Sequence, residues 1–247
     1  DWKGLERGLS DPQTSLMILC NPHNPVGKIW DAAALAEIAR LCAERGVKVV
    51  SDEIHCDITR PGSDYVPFAS VSDICCKISV TCIAPTKCFN IAGIGTSAAY
   101  AEDPVINHKV WRQLNTDECG EPNVFAVPTA VAAFCEGGEW LDQMREYVFA
   151  NRDLVSSYLG KEIPELKAVD GNATYLVWID CSEVCERKGI DSKELCRLVC
   201  DKTGLKLSDG AQYGKGGELF VRMNVACPRS YVEDGCRRLK AAVRDIE

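Results

Sequence analysis

Residues Ser15 to Ile54, SLMILCNPHNPVGKIWDAAALAEIARLCAERGVKVVSDEI, decide the fold. The run Ser15 to Cys20 is short, continuous and apolar, which suits a strand covered on both faces. NPHNPVGK, Asn21 to Lys28, follows, and its two prolines and glycine forbid regular structure. Asp31 then caps a helix in which Leu35, Ile38, Ala39 and Cys42 recur at helical spacing and Gly46 supplies the stop. Val47 to Ile54 is the next strand. Apolar runs alternating with helical patterns argue for parallel α/β layers.

Further along comes an irregular stretch through Pro61, Gly62 and Pro67. ISVTCIA, Ile78 to Ala84, is a third strand leading into PTKCFNIAG, and Gly95 to Ala101 a fourth. Beyond Pro104 the patterns are long and helical, and the last of them, Glu139 to Leu159, is long enough to bridge two domains. After Pro164 come TYLVWIDC, a helix from about Asp191 to Lys202, LKLSDG, ELFVRMNVAC and a closing helix from Ser230 onward, an α+β pattern. The expected fold class is therefore α/β, with a partial large domain over residues 1–150, including the start of the interdomain helix, and a smaller α+β domain over 151–247.

Composition narrows the function. The chain has 247 residues and a formal net charge of −8, with 28 Lys and Arg against 36 Asp and Glu. An acidic balance without a basic cluster argues against nucleic-acid binding, which runs on phosphate neutralisation. No apolar run approaches a membrane span, and DWKGLERGLSD at the start lacks the regions of a signal peptide, so the chain reads as soluble and cytoplasmic. Fifteen cysteines, an uneven number, sit beside only three histidines and form no CxxC pair. Zinc spacing is absent and no metal is expected; reduced thiols behaving as small hydrophobes are the expectation.

Three residues matter for where they fall. In a parallel sheet, ligands bind beyond the carboxyl ends of the strands. Asn24 follows the first strand, Asp52 ends the second and Lys87 follows the third. With neighbouring strands about 4.8 Å apart, an amide, a carboxylate and an amine would converge on a pocket the size of a small ring. Those are the parts that hold a pyridine aldehyde: lysine for the Schiff base, and a carboxylate that keeps the ring nitrogen protonated.

NPHNPVG, SDEIH and APTKCFNIAG, in that order and spacing, resemble the signature segments of fold type I pyridoxal-phosphate enzymes of the class I/II aminotransferase family. FVRMNVACPR, Phe220 to Arg229, resembles more narrowly the MalY/PatB branch of carbon–sulfur β-lyases. The resemblance implies part of the fold type I large domain with a mostly parallel sheet, pyridoxal 5'-phosphate as cofactor, an L-cysteine thioether such as cystathionine as substrate, and a homodimer for the full-length parent. It implies Lys87 as Schiff-base lysine and carrier of the Cα proton, and Asp52 as partner of the ring nitrogen. Asn24 would bond the phenolic oxygen, and Arg222 would clamp the substrate carboxylate bidentately. An aminotransferase on the same scaffold, and a protein-binding transcriptional modulator, are the alternatives the resemblance leaves open.

The departures from the family pattern are specific. His55 stands where a tyrosine is common, Gly95 where many members carry a phosphate-binding arginine, and Ala84 where they carry a serine. Thr86 keeps a hydroxyl within reach of the phosphate, and loss of the arginine tilts the reading towards the lyases. Nothing matches the segment that carries the family's phosphate-binding turn and stacking aromatic, so the chain reads as a fragment expected to bind cofactor poorly alone. Against these stand plainer readings. Glu53 is assigned to a turn or a structural ion pair and Cys88 to packing. The GxGxxA spacing of Gly93, Gly95 and Ala98 precedes a strand and is rejected as a dinucleotide fingerprint. GKGGE, Gly214 to Glu218, reads as a flexible hairpin. Arg222, inside an apolar strand, requires an anionic partner from protein or substrate.

Overall fold

The computed structural model describes residues 1–245, which fall into two compact units. One comprises Asp1–His23 and Lys28–Asp142, the other Asn24–Gly27 and Gln143–Glu247.

The first unit opens with helix α1 (Trp2–Leu9), capped by the Asp1 carboxylate on the Gly4 amide. Strand β1 (Leu16–Cys20), helix α2 (Ala32–Glu44) and strand β2 (Lys48–Asp52) form the crossover the sequence foretold, with β1 and β2 parallel. Its punctuation is physical. Asp31 Oδ1 accepts the Ala34 amide at 2.7 Å, and Gly46, at φ +68°, takes the left-handed turn that ends the helix. Helix α3 (Asp73–Ile78), strand β3 (Ser79–Ile83), the four-residue helix α4 (Pro85–Cys88) and strand β4 (Ala98–Tyr100) follow. β3 lies parallel to β2 and β4 antiparallel to β3, giving the order β1-β2-β3-β4. The sequence reading assigned no helix at α3, whose single amphipathic turn and a half, DICCKI, is too short to show a period.

One face of this sheet packs against α2 and α3. Leu19 and Val49 join Leu35, Ile38, Ala39, Cys42, Phe68 and Cys75 in a single buried cluster. The opposite face of β1 is open: Leu16 and Ile18 are 52% and 67% exposed. The expectation that this strand is covered on both faces is thus met on one only, because no described residue buries Leu16 or Ile18. Helices α5 (Pro104–Thr116), α6 (Ala126–Glu136) and α7 (Gly138–Glu162) follow.

The second unit contains β5 (Lys167–Ala168), β6 (Leu176–Asp180), helices α8 (Ser182–Lys188) and α9 (Ser192–Thr203), β7 (Ser208–Asp209), β8 (Phe220–Asn224) and α10 (Arg229–Asp245). The strands form an antiparallel sheet ordered β5-β6-β8-β7. Strand alternation divides it. Val177, Ile179, Val221 and Met223 enter a core with Val155 and Leu159 of α7, Leu195 and Val199 of α9, and Cys236 and Leu239 of α10. Trp178, Phe220 and Arg222 stand on the other face.

All fifteen cysteines are free, and most are buried or half-buried. Burial raises the Cys88 and Cys196 thiols to about 12 and those of Cys185 and Cys236 to about 11, against an ordinary value near 9. Among the described residues no His, Cys, Asp and Glu cluster could hold a metal, and no helix is long and apolar enough to cross a membrane. Because the folded thiols hold their protons at a pH where unfolded ones release them, their contribution to stability is complete below pH 9 and is lost as pH rises towards 11 to 12. Reversible urea midpoints should therefore fall between pH 8.5 and 10.5, and native alkylation at pH 8 should label Cys119, Cys135 and Cys200 while sparing Cys88, Cys185 and Cys236. Equal labelling of all six would contradict the packing.

Candidate active site

In the first unit, register builds one edge. Cys20, Asp52 and Cys82 are successive cross-strand partners on three parallel strands, so their side chains leave the same face side by side. Asp52 Oδ1 accepts the Ile54 amide at 3.2 Å, and the half-buried carboxylate has no ion pair among the described residues. Burial, and then the Asp52 charge, push the Cys20 and Cys82 thiols up, so the acid is flanked by neutral thiols.

Glu53, one residue on, points the other way into a different environment. It is 2% exposed, and its carboxylate accepts Ser51 Oγ at 2.8 Å, the Tyr65 hydroxyl at 2.6 Å and the Phe68 amide at 3.0 Å. Burial, with Glu53 next, pushes the Tyr65 phenol well above its ordinary range. This is a structural knot made by hydrogen bonds rather than an ion pair. His55 is buried, and its carbonyl accepts the Ile58 amide.

Lys87 lies in the single turn that follows β3. Pro85 starts α4 at the position where a missing N–H costs nothing, and the Phe89 and Ile91 amides bond back to Pro85 and Thr86. Phe89 anchors the turn, stacked on Trp140 at 5.8 Å and edge-on to Phe134 at 5.9 Å. Lys87 is half-buried and makes no ion pair or side-chain hydrogen bond with a described residue. Thr86 is buried, and its hydroxyl has no hydrogen-bond partner among the described residues. Cys88 is held neutral by burial and by Asp57, which removes a thiolate nucleophile beside Lys87. At Gly95 the backbone is left-handed, φ +61°, a conformation costly for an arginine.

The second unit brings Asn24 and Arg222 together. Arg222 Nη1 donates to Asn24 Oδ1 at 3.2 Å and Nη2 to Ser208 Oγ at 3.2 Å. The guanidinium lies 4.8 Å from the Tyr213 ring centroid. No carboxylate of the described residues pairs with it. The Asn24 loop is itself anchored. Gly27 accepts the Ala173 amide at 3.0 Å, and the buried Arg152 guanidinium donates to the carbonyls of Gly171, Ala173, Thr174 and Leu176. Gly27 is required there: at φ +78° an added Cβ would lie 2.6 Å from the Ala173 carbonyl.

Ser208 and Tyr213 escaped the sequence reading. Ser208 was legible in principle as the residue opposite Arg222 once LKLSDG is paired with ELFVRMNVAC; Tyr213 carried no signal. The GKGGE segment is not a free hairpin, since Gly217 packs against Gly210. The two adjacent acids should respond oppositely to mutation. Glu53→Ala strands the Ser51 hydroxyl and the Phe68 amide, leaving Tyr65 only the Asn21 carbonyl at 3.1 Å, and should cost about 2–4 kcal/mol in urea unfolding, whereas Asp52→Ala should stay within about 0.5 kcal/mol; equal losses would refute the assignment.

Comparison with known proteins gives the family. Residues 1–239 match the family profile "Aminotransferase class I and II". The chain is 42% identical over 243 residues to cystathionine beta-lyase PatB of Bacillus subtilis, covering 98% of this chain and 62% of that protein. It is 31% identical to protein MalY of Escherichia coli, covering 100% and 62%. Cystalysin of Treponema denticola, whose crystal structure contains pyridoxal 5'-phosphate, superposes with a TM-score of 0.94 at 29% identity, covering 100% of this chain and 62% of that one. The chain thus spans about 62% of the length of these relatives.

Proposed function

The chain belongs to the class I and II aminotransferase family, and from that premise we propose that the whole protein is a pyridoxal-phosphate-dependent carbon–sulfur β-lyase. It would convert an L-cysteine thioether of the cystathionine type, with water, to thiol, pyruvate and ammonia. The observation that carries this reading is the state of three charges: Asp52, Lys87 and Arg222 are each half-buried, and none has an ion-pair partner among the described residues. A charge partly removed from water gains from a partner: a substrate carboxylate would supply one to Arg222 and a protonated ring nitrogen one to Asp52, while Lys87 keeps an amine for an aldehyde.

The donor set fits the cofactor. Asp52, accepting one amide only, has lone pairs left for a protonated ring nitrogen, and Asn24 has an amide N–H₂ for a phenolic oxygen. Lys87 has an uncommitted amine. Thr86 offers its hydroxyl to the phosphate, and buried His55 lies three residues after Asp52. When bound, pyridoxal phosphate supplies an electron-withdrawing ring that takes up the pair left when Cα loses its proton.

The chain's own groups do the rest. Asp52 holds the ring proton in place by charge. Lys87 Nζ takes the proton from Cα, a task suited to an amine that is half-desolvated and unpaired. Arg222 grips the α-carboxylate with the N–H groups that Asn24 and Ser208 leave over. Identity to PatB and MalY, together with the glycine at position 95, supports elimination over transamination. As a whole protein we read a cytoplasmic homodimer; the exposed apolar side chains Trp111, Phe125, Val131 and Phe134 are the kind of surface a larger assembly buries.

Borohydride reduction of the full-length protein with pyridoxal phosphate, followed by peptide mass spectrometry, should place the added mass on Lys87 and leave Lys87→Ala unlabelled. Cystathionine should yield pyruvate without a keto-acid acceptor, and Lys87→Ala should lower that rate by about 10²–10⁴-fold. Pyruvate that appears only with 2-oxoglutarate present would overturn the lyase assignment, and a label on another lysine would overturn the site.

A further inference from the structure

Arg222 is fixed from three sides by residues to which no role has been given. In β8 it stands directly between Trp178 of β6 and Ser208 of β7, its cross-strand partners, so all three side chains share the face opposite the helices. Trp178 stacks on Phe220 at 5.2 Å with the planes 4° apart, and Tyr213 meets Trp178 edge-on at 5.7 Å. The arginine stem therefore rises from an aromatic floor. Its charged head is covered on one side by the Tyr213 ring and bonded on another by Ser208 Oγ.

Tyr213 reaches this position through an unusually close backbone contact. It ends a 3₁₀ turn, Gly210–Tyr213. A Cβ at Gly210 would lie 2.3 Å from the carbonyls of both Gly217 and Phe220, and one at Gly217 would lie 2.2 Å from the Gly210 carbonyl. Only glycine at both positions lets the 210–217 segment lie flat on β8. Asp209 Oδ1 adds two bonds, to the Ser192 hydroxyl at 2.6 Å and the Ala211 amide at 3.0 Å. The segment is thus pinned at both ends, and the ring it carries is delivered to the guanidinium.

We propose that Tyr213 and Ser208 are positioning residues that hold Arg222 in the one orientation that presents its remaining N–H groups to a carboxylate. This deepens the lyase reading and rests on it for the identity of that carboxylate. A long flexible cation loses rotamer freedom when it binds; a stacked and hydrogen-bonded guanidinium has lost it beforehand. The effect belongs to substrate binding and not to the proton transfer at Lys87. The hydroxyl of Tyr213 has no part in it, since the ring face makes the contact.

Two measurements test this separately from the enzyme assignment. In the full chain labelled with ¹⁵Nε-arginine, the order parameter of Arg222 should fall in Tyr213→Leu and in Ser208→Ala and stay at the wild-type value in Tyr213→Phe. An unchanged order parameter in both loss variants would overturn the proposal, whatever reaction the protein catalyses. In the loaded full-length protein, Tyr213→Leu should raise KM for cystathionine about tenfold with kcat within threefold, and Tyr213→Phe should restore the wild-type KM. A fall confined to kcat, or a Tyr213→Phe variant as impaired as Tyr213→Leu, would also overturn it. Absence of lyase turnover in every form, with the order parameters behaving as stated, would instead sink the lyase reading and leave the positioning role standing.

Discussion

The in-phase alignment of three parallel strands is the constraint from which the rest follows. Because β1, β2 and β3 run the same way and are paired residue for residue, the segments that leave them all emerge at one edge. Chemistry that is scattered over more than sixty residues of sequence is thereby gathered without any local motif bringing it together. The polar row Cys20, Asp52, Cys82 is a direct product of that pairing. Antiparallel neighbours would have sent alternate chain ends to opposite edges.

Charge placement is the second theme. The unit that contains Asp52 also contains Glu53, and the two are managed differently. Glu53 is buried and fully occupied by Ser51, Tyr65 and Phe68, which lowers the cost of its burial. Asp52, Lys87 and Arg222 are only half-buried and remain available. A fold that tolerates three such groups gives up stability locally, and sites that bind charged ligands are where this occurs. The buried Arg152, by contrast, spends its donors on main-chain carbonyls and so anchors the loop that carries Asn24.

Much of this was legible in the sequence, and the illegible part has identifiable causes. Asp31 and Gly46 announced the limits of α2 because capping is a local rule. β1, β2 and β3 appeared as apolar runs; Asn24, Asp52, Lys87 and Arg222 were singled out from position and from motif likeness, and the structure sets Asp52 at the sheet edge and bonds Arg222 to Asn24. Helix α3 was missed because six residues carry no period. The cover of β1 was misjudged because an apolar run records what a strand was built to contact and not what lies over it among residues 1–245. The Gly210–Gly217 contact was misread as flexibility, since glycine has the same letter whether it loosens a chain or permits close packing. Tyr213 gave no signal at all, because a ring stacked on an arginine nine residues away follows no sequence rule.

The opposite outlooks of Asp52 and Glu53 also limit how this strand can evolve. Neighbouring side chains along a strand face opposite ways, so deleting one residue within β2 would bring Glu53 to the edge position and Ile54 to the buried one, and inserting one would bring Ser51 to the edge and Asp52 to the buried position. Deletion would leave the buried donors without a carboxylate, and insertion would give them one a methylene too short while the edge lost its acid. Point substitutions can drift through this region one at a time, but a shift in the reading of the strand changes both functions at once. Length variation among descendants of this chain should therefore collect in the loops on either side of β2 and leave the strand itself at constant length.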